Sequence, residues 1–193
     1  GGIDQPLLLD VARHVAAGHW VHVFPEGRVI QSGALGLDVL TPRCPKQLKD
    51  IGRLKWGVGK LIAHAPVPPV VIPLHHSGMP HVMPQHNVWR EGRHGDMWYD
   101  NRPLSLIPQC GNEVTVRFGG RVVYEDLIRE YEAKHGALRK VSCKPADLQE
   151  SWSMWISTTR AERELYSKIT LRVQEALLKL EDEAKGEHGR GGG

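Results

Sequence analysis

Phe24-Pro25-Glu26-Gly27-Arg28 joins a fixed turn, a carboxylate, a bare backbone position and a permanent cation in five residues. That combination suits an anion. Arg28 offers a planar fork of N–H donors to paired oxygens. Gly27 lets the main chain approach a ligand without a Cβ in the way. Glu26 can accept from a free hydroxyl or orient a neighbouring guanidinium. A second group follows in Val70-Val71-Ile72-Pro73-Leu74-His75-His76-Ser77-Gly78-Met79. There Pro73 and Gly78 shape the chain, and His76 can bond an oxyanion or an ester. Between the two groups lie Lys55, Trp56 and Lys60, two cations and an amphipathic ring suited to a lipid–water boundary. Taken singly these residues are unremarkable. A Glu26–Arg28 pair on a solvated turn stabilises by under about 1 kcal/mol, and lysines on a helix face are ordinarily hydrated.

Both groups follow apolar runs that read as strands. His19 to Phe24 is short, β-branched and aromatic and predicts a buried strand ended by Pro25. Pro69 to Leu74 predicts a second. The ligand-facing residues then sit at strand C-terminal ends, where α/β sheets bind their ligands. Helices are expected at Pro6–Ala17, stopped by Gly18, and at Ile51–His64, whose Gly52, Gly57 and Gly59 imply close packing or an approaching ligand. A third strand is expected at 113–118 and a helix at 124–135. Residues 80–111 have no clear period and predict a long ordered loop. Thr159 and Glu162 form a capping-box pattern ahead of a stripe of Tyr166, Ile169, Val173, Leu177 and Leu180, the clearest helix in the chain. Residues 29–50 read as a loop and 186–193 as a disordered tail. The sum is an α/β fold, a mixed sheet flanked by helices with an amphipathic C-terminal helix. We divide it into a main part, 1–140, a helical extension, 141–185, and the tail.

The 193 residues carry 40% hydrophobic and 24% charged side chains and a net charge of +3. This charge is too small to indicate nucleic acid and weakly suits anionic membrane surfaces. Three separated cysteines, Cys44, Cys110 and Cys143, make neither a disulfide framework nor a zinc ribbon. The histidines at 75, 76, 81, 86 and 94 fit no zinc spacing. No apolar run reaches the ~20 residues of a membrane-spanning helix. The opening Gly1-Gly2-Ile3-Asp4 resembles no leader and reads as a start inside a domain.

The two groups resemble the third and fourth sequence blocks of the glycerophospholipid acyltransferase superfamily. Phe24, Pro25, Glu26 and Gly27 match the third residue for residue. The commoner pattern has a Thr before the basic residue. Here Arg28 follows Gly27 directly, as in the tafazzin branch of phospholipid–lysophospholipid transacylases. The run Arg53-Leu54-Lys55-Trp56-Gly57-Val58-Gly59-Lys60 and the ending His76-Ser77-Gly78-Met79 are tafazzin-like as well. The resemblance covers about residues 17–80. It implies that Glu26, Gly27 and Arg28 bind the glycerophosphate of the acceptor and that Pro73, His76 and Gly78 line the acyl or acceptor pocket. Lys55, Trp56 and Lys60 become candidate lipid or phosphate contacts. It further implies no metal or other cofactor, phospholipid and lysophospholipid substrates including monolysocardiolipin, and a peripheral place on a mitochondrial membrane.

The same resemblance exposes a gap. The chemistry of that family needs a His to deprotonate the acceptor, with an Asp five residues on to hold its tautomer. No His in this chain has such an Asp; His86 with Glu91 is the nearest imitation and lies downstream of both blocks. No catalytic residue is therefore assigned here, and the chain reads as the later part of a longer enzyme, inactive alone. An acyl-CoA-dependent acyltransferase and a lipid-binding module without turnover stand as alternatives.

Overall fold

The computed structural model describes residues 5–25, 54–91, 97–103, 107–142, 144 and 147–188. The chain falls into two compact bodies. One gathers residues 1–27, 53–73 and 120–177, the other 28–52, 74–119 and 178–193.

The first body is helical. Helix α1 (Pro6–Ala16) starts with Pro at its first position, which its fixed φ favours. It ends at Gly18, whose φ of 82° is a left-handed conformation that glycine adopts without strain. Helix α2 (Gly57–His64) is enclosed on nearly all sides. It is shorter than the sequence pattern predicts: Leu54 and Lys55 are non-helical, Trp56 is its N-cap, and 51–53 lie outside the described residues. Helices α4 (Glu125–His135) and α5 (Leu148–Ile156) follow, then α6 (Arg160–His188), 29 residues long. The Thr159–Glu162 capping box forms as expected. The Thr159 N–H donates to the Glu162 carboxylate at 2.6 Å, and the Glu162 N–H donates to Thr159 Oγ1 at 3.2 Å. The α6 helix carries its pattern through Gly186 to His188, so that part of the expected tail is helical; 189–193 lie outside the described residues.

Two cores hold this body. In one, Ile62 and Ala63 of α2 meet Tyr124, Ile128, Tyr166 and Ile169. In the other, Leu9 and Ala12 of α1 meet Leu61, Met154 and Trp155. Gly59 explains the closeness of α2 and α6. A Cβ there would run into the Tyr166 carbonyl oxygen and the Thr170 hydroxyl. The glycine serves close packing, one of the two reasons anticipated for it.

The second body carries the strands. Strand β1 (Leu74–Ser77) pairs antiparallel with β4 (Thr115–Phe118), Leu74 opposite Phe118. A short helix α3 (Met79–Val82) leads to a second antiparallel pair, β2 (Gln85–Glu91) with β3 (Met97–Pro103), Val88 opposite Asp100. The segment 80–111 is therefore largely α3 and a hairpin rather than a loop. Its strands mix polar and aromatic residues without alternation, so periodicity hides them.

The fold is α/β-like; among the described residues the strands form two separate two-stranded sheets instead of one mixed sheet. The buried strand expected at His19–Phe24 does not form: the segment has no regular secondary structure, and Trp20 and Phe24 are exposed. The strand expected at Pro69–Leu74 begins only at Leu74, because Pro69 and Pro73 have no N–H to give a ladder.

Candidate functional site

The first motif hangs between α1 and α2. Past Gly18 the chain runs without regular secondary structure to Pro25, which is buried. The Lys55 N–H donates to the Pro25 carbonyl at 2.9 Å. That bond ties Pro25, the residue before Glu26, to the basic-aromatic-glycine run. Glu26, Gly27 and Arg28 themselves lie outside the described residues. Lys55 is exposed, and Trp56, half-buried, packs against the first core at the start of α2.

Lys60 is placed differently from the surface contact the sequence suggests. It is fully buried. Its ammonium donates to the Trp155 carbonyl and, at 3.0 Å, to Thr158 Oγ1. It also sits 4.5 Å from the centroid of the Trp155 ring, a cation–π distance. The Trp155 carbonyl lies in the last turn of α5, where a helix dipole favours positive charge. Lys60 thus binds α2 to α5 from inside.

One turn along α2, His64 enters a polar cluster that was not anticipated from the sequence. Its Nδ1 lies 2.7 Å from the Arg139 carbonyl, which fixes that nitrogen as the N–H donor. Its Nε2 then accepts from the Tyr166 hydroxyl at 2.5 Å. Burial drives the imidazole's pKa down to about 4, against raising contributions from the Arg139 carbonyl and Glu162. Burial likewise pushes the Tyr166 phenol well above its usual range. A neutral His accepting from a neutral Tyr, both buried, holds α2 against α6. The signal that could have revealed them is spacing: Lys60 and His64 stand four residues apart on a helix too apolar to carry a solvated face.

The second motif is split between the bodies. Pro73 is buried in the first. In the second, His76 is exposed on β1 opposite Val116. Its neighbour His75 points to the other face, and burial lowers its pKa. Gly78 has φ 88°, and a Cβ there would strike the Glu113 carbonyl, so its backbone role alone requires glycine. An open cavity of about 420 Å³ lies elsewhere in the first body, between Arg139, Lys140 and Ser142 on one side and Asp147, Glu150 and Ser151 on the other. None of the described motif residues lines it. Among the described residues no group of three or more His, Cys, Asp or Glu is arranged to hold a metal, and no helix is long and apolar enough to cross a membrane.

Known proteins bear on these residues directly. No family model and no solved structure matches the chain. The N-acylphosphatidylethanolamine synthase of Arabidopsis thaliana is 30% identical over 182 residues, 92% of this chain and 54% of that protein. Drosophila melanogaster tafazzin is 36% identical over 83 residues, 43% of this chain and 18% of its own. A Dictyostelium discoideum protein named taffazin is 23% identical over 183 residues, 93% of this chain and 49% of its own. The chain therefore spans about half the length of the two relatives that it matches nearly end to end. The likeness carried by its two motifs is upheld: the chain is tafazzin-like, related to the tafazzins and to N-acylphosphatidylethanolamine synthase.

Proposed function

We propose that this chain is the headgroup-binding part of a longer acyltransferase that moves fatty acyl chains between phospholipids and lysophospholipids, cardiolipin precursors included, on a mitochondrial membrane surface. Two facts support the reading. The Lys55–Pro25 bond sets the two tafazzin-like runs side by side. Over nearly the whole chain it is similar to an N-acylphosphatidylethanolamine synthase and to a protein named taffazin. In this scheme Arg28 and the Gly27 backbone hold the acceptor's phosphate, and Glu26 orients the group to be acylated. Pro73, His76 and Gly78 border the acceptor or acyl chain, and Lys55 and Trp56 meet the lipid surface. Lys60, buried, takes no part. The donor's ester C–O bond breaks and the acceptor's forms. The acceptor's proton passes through a base outside these residues to the departing alkoxide. No cofactor is consumed.

The match to N-acylphosphatidylethanolamine synthase favours a second acceptor, the amine of phosphatidylethanolamine, giving an amide in place of an ester. One experiment addresses both. The full-length parent is supplied with labelled phosphatidylcholine as donor and either monolysocardiolipin or phosphatidylethanolamine as acceptor, while the present chain is assayed alone. The parent is expected to label one product and the chain alone neither. Arg28→Ala in the parent should raise the acceptor KM at least tenfold, the loss of a charge-assisted phosphate contact. Unchanged kinetics would remove Arg28 from the site.

A further inference from the structure

The open cavity of the first body brings both signs of charge to one space. The segment after α4 supplies Arg139 and Lys140; α5 and its N-cap supply Glu150 and Asp147, with Ser151 and Met154, both buried. Its borders are fixed by bonds of the fold itself. The Val141 N–H donates to the His64 carbonyl at 2.8 Å, and the Val141 side chain shares the second core with Met154. The Ser142 hydroxyl donates to Asp147 Oδ2 at 2.6 Å, fastening this segment to α5. Arg139 donates to the Ser157 carbonyl at 2.9 Å and Lys140 to the Ala63 carbonyl at 2.8 Å. Each bond occupies one donor, where a guanidinium has five N–H groups and an ammonium three.

Opposite charges in contact would cancel, but these stand apart. Among the described residues Arg139 has its carboxylate partner in Glu162, at 3.7 Å, and no ion pair joins Arg139 or Lys140 to Asp147 or Glu150. The gap of about 420 Å³ falls within the roughly 300–1,000 Å³ of small-molecule sites. A simple anion placed in it would meet two carboxylates, and a simple cation would meet two cations. The four charges sum to zero, so the guest they suit is neutral overall and charged at both ends. Two neighbouring cations, one of them a planar fork, match the several oxygens of a phosphodiester. The carboxylates of Asp147 and Glu150 match an ammonium, which donates and cannot accept.

We propose that this cavity binds a small zwitterion of the ethanolamine-phosphodiester type, its phosphate oxygens on Arg139 and Lys140 and its ammonium on Asp147 and Glu150. The proposal uses none of the acyl-transfer motif residues and stands or falls without that reading. The test is calorimetric titration of this chain with glycerophosphoethanolamine, and separately with glycerophosphate and ethanolamine, which carry one sign of charge each. The zwitterion is expected to bind one-to-one and about tenfold more tightly than either half. Glu150 is exposed, so Glu150→Gln should weaken binding about fivefold and leave the melting temperature unchanged. Glu150→Lys should turn the preference toward glycerophosphate, a reversal that misfolding does not produce. Vesicles of phosphatidylcholine, with or without phosphatidylethanolamine, identify the source of the headgroup. Retention only with phosphatidylethanolamine, lost in Glu150→Lys, assigns it to a bilayer; saturation by the free probe without such retention assigns it to solution; either result upholds the site. The proposal is overturned if neither the free probe in millimolar excess nor the vesicles bind. It is equally overturned if one half binds as tightly as the whole, or if the Glu150 variants bind as the native chain does.

Discussion

His64 shows how a residue's surroundings decide its role. In the unfolded chain its imidazole titrates near 6.5; in the fold, burial lowers this to about 4. The folded state therefore resists a proton that the unfolded state accepts. Its contribution to stability is complete above pH 6.5 and is lost as pH falls toward 4, amounting to on the order of 3 kcal/mol. The melting temperature should drop across that window. His64→Gln should lower stability at pH 7 and flatten the dependence by about one proton, read as the slope of unfolding free energy against pH. A slope equal to the native chain's would place the titration elsewhere. Among the motif residues, the chemistry types were legible in the sequence, but depth was not. Lys55 and Lys60 look alike as letters, yet one is exposed and the other sealed against Trp155.

Packing between elements turns on Gly59. Its missing Cβ lets α2 lie against the Tyr166 carbonyl on α6. Gly59→Ala gains helix propensity of about 1 kcal/mol but forces the two backbones apart. We expect a net loss of about 1–3 kcal/mol, the usual cost of overpacking, measured by urea unfolding. A stabilised variant would mean the helices part easily. Helix α6 was readable from sequence because its signals are local: a cap, a stripe, a run of good helix formers. Strands need neighbours: 19–24 and 69–73 are apolar, but neither joins a ladder and Trp20, Phe24 and Val70 are exposed, so the buried strands expected there do not form. The β2–β3 hairpin failed the other way, being paired over seven residues yet without alternation in its letters.

The molecule as a whole carries a mild net charge of +3, and the polar groups buried in its first body include Lys60 and His64. Lys60 is bonded at the heart of the first body and Lys55, five residues before it, stands in water. An amine-reactive reagent should therefore modify Lys55 at once and spare Lys60 for as long as the native state persists; equal labelling of both under native conditions would contradict the burial. Because a single peptide carries a shielded and an accessible amine, their labelling ratio is an internally calibrated gauge of the folded fraction, usable in a crude extract where neither spectroscopy nor activity could be read.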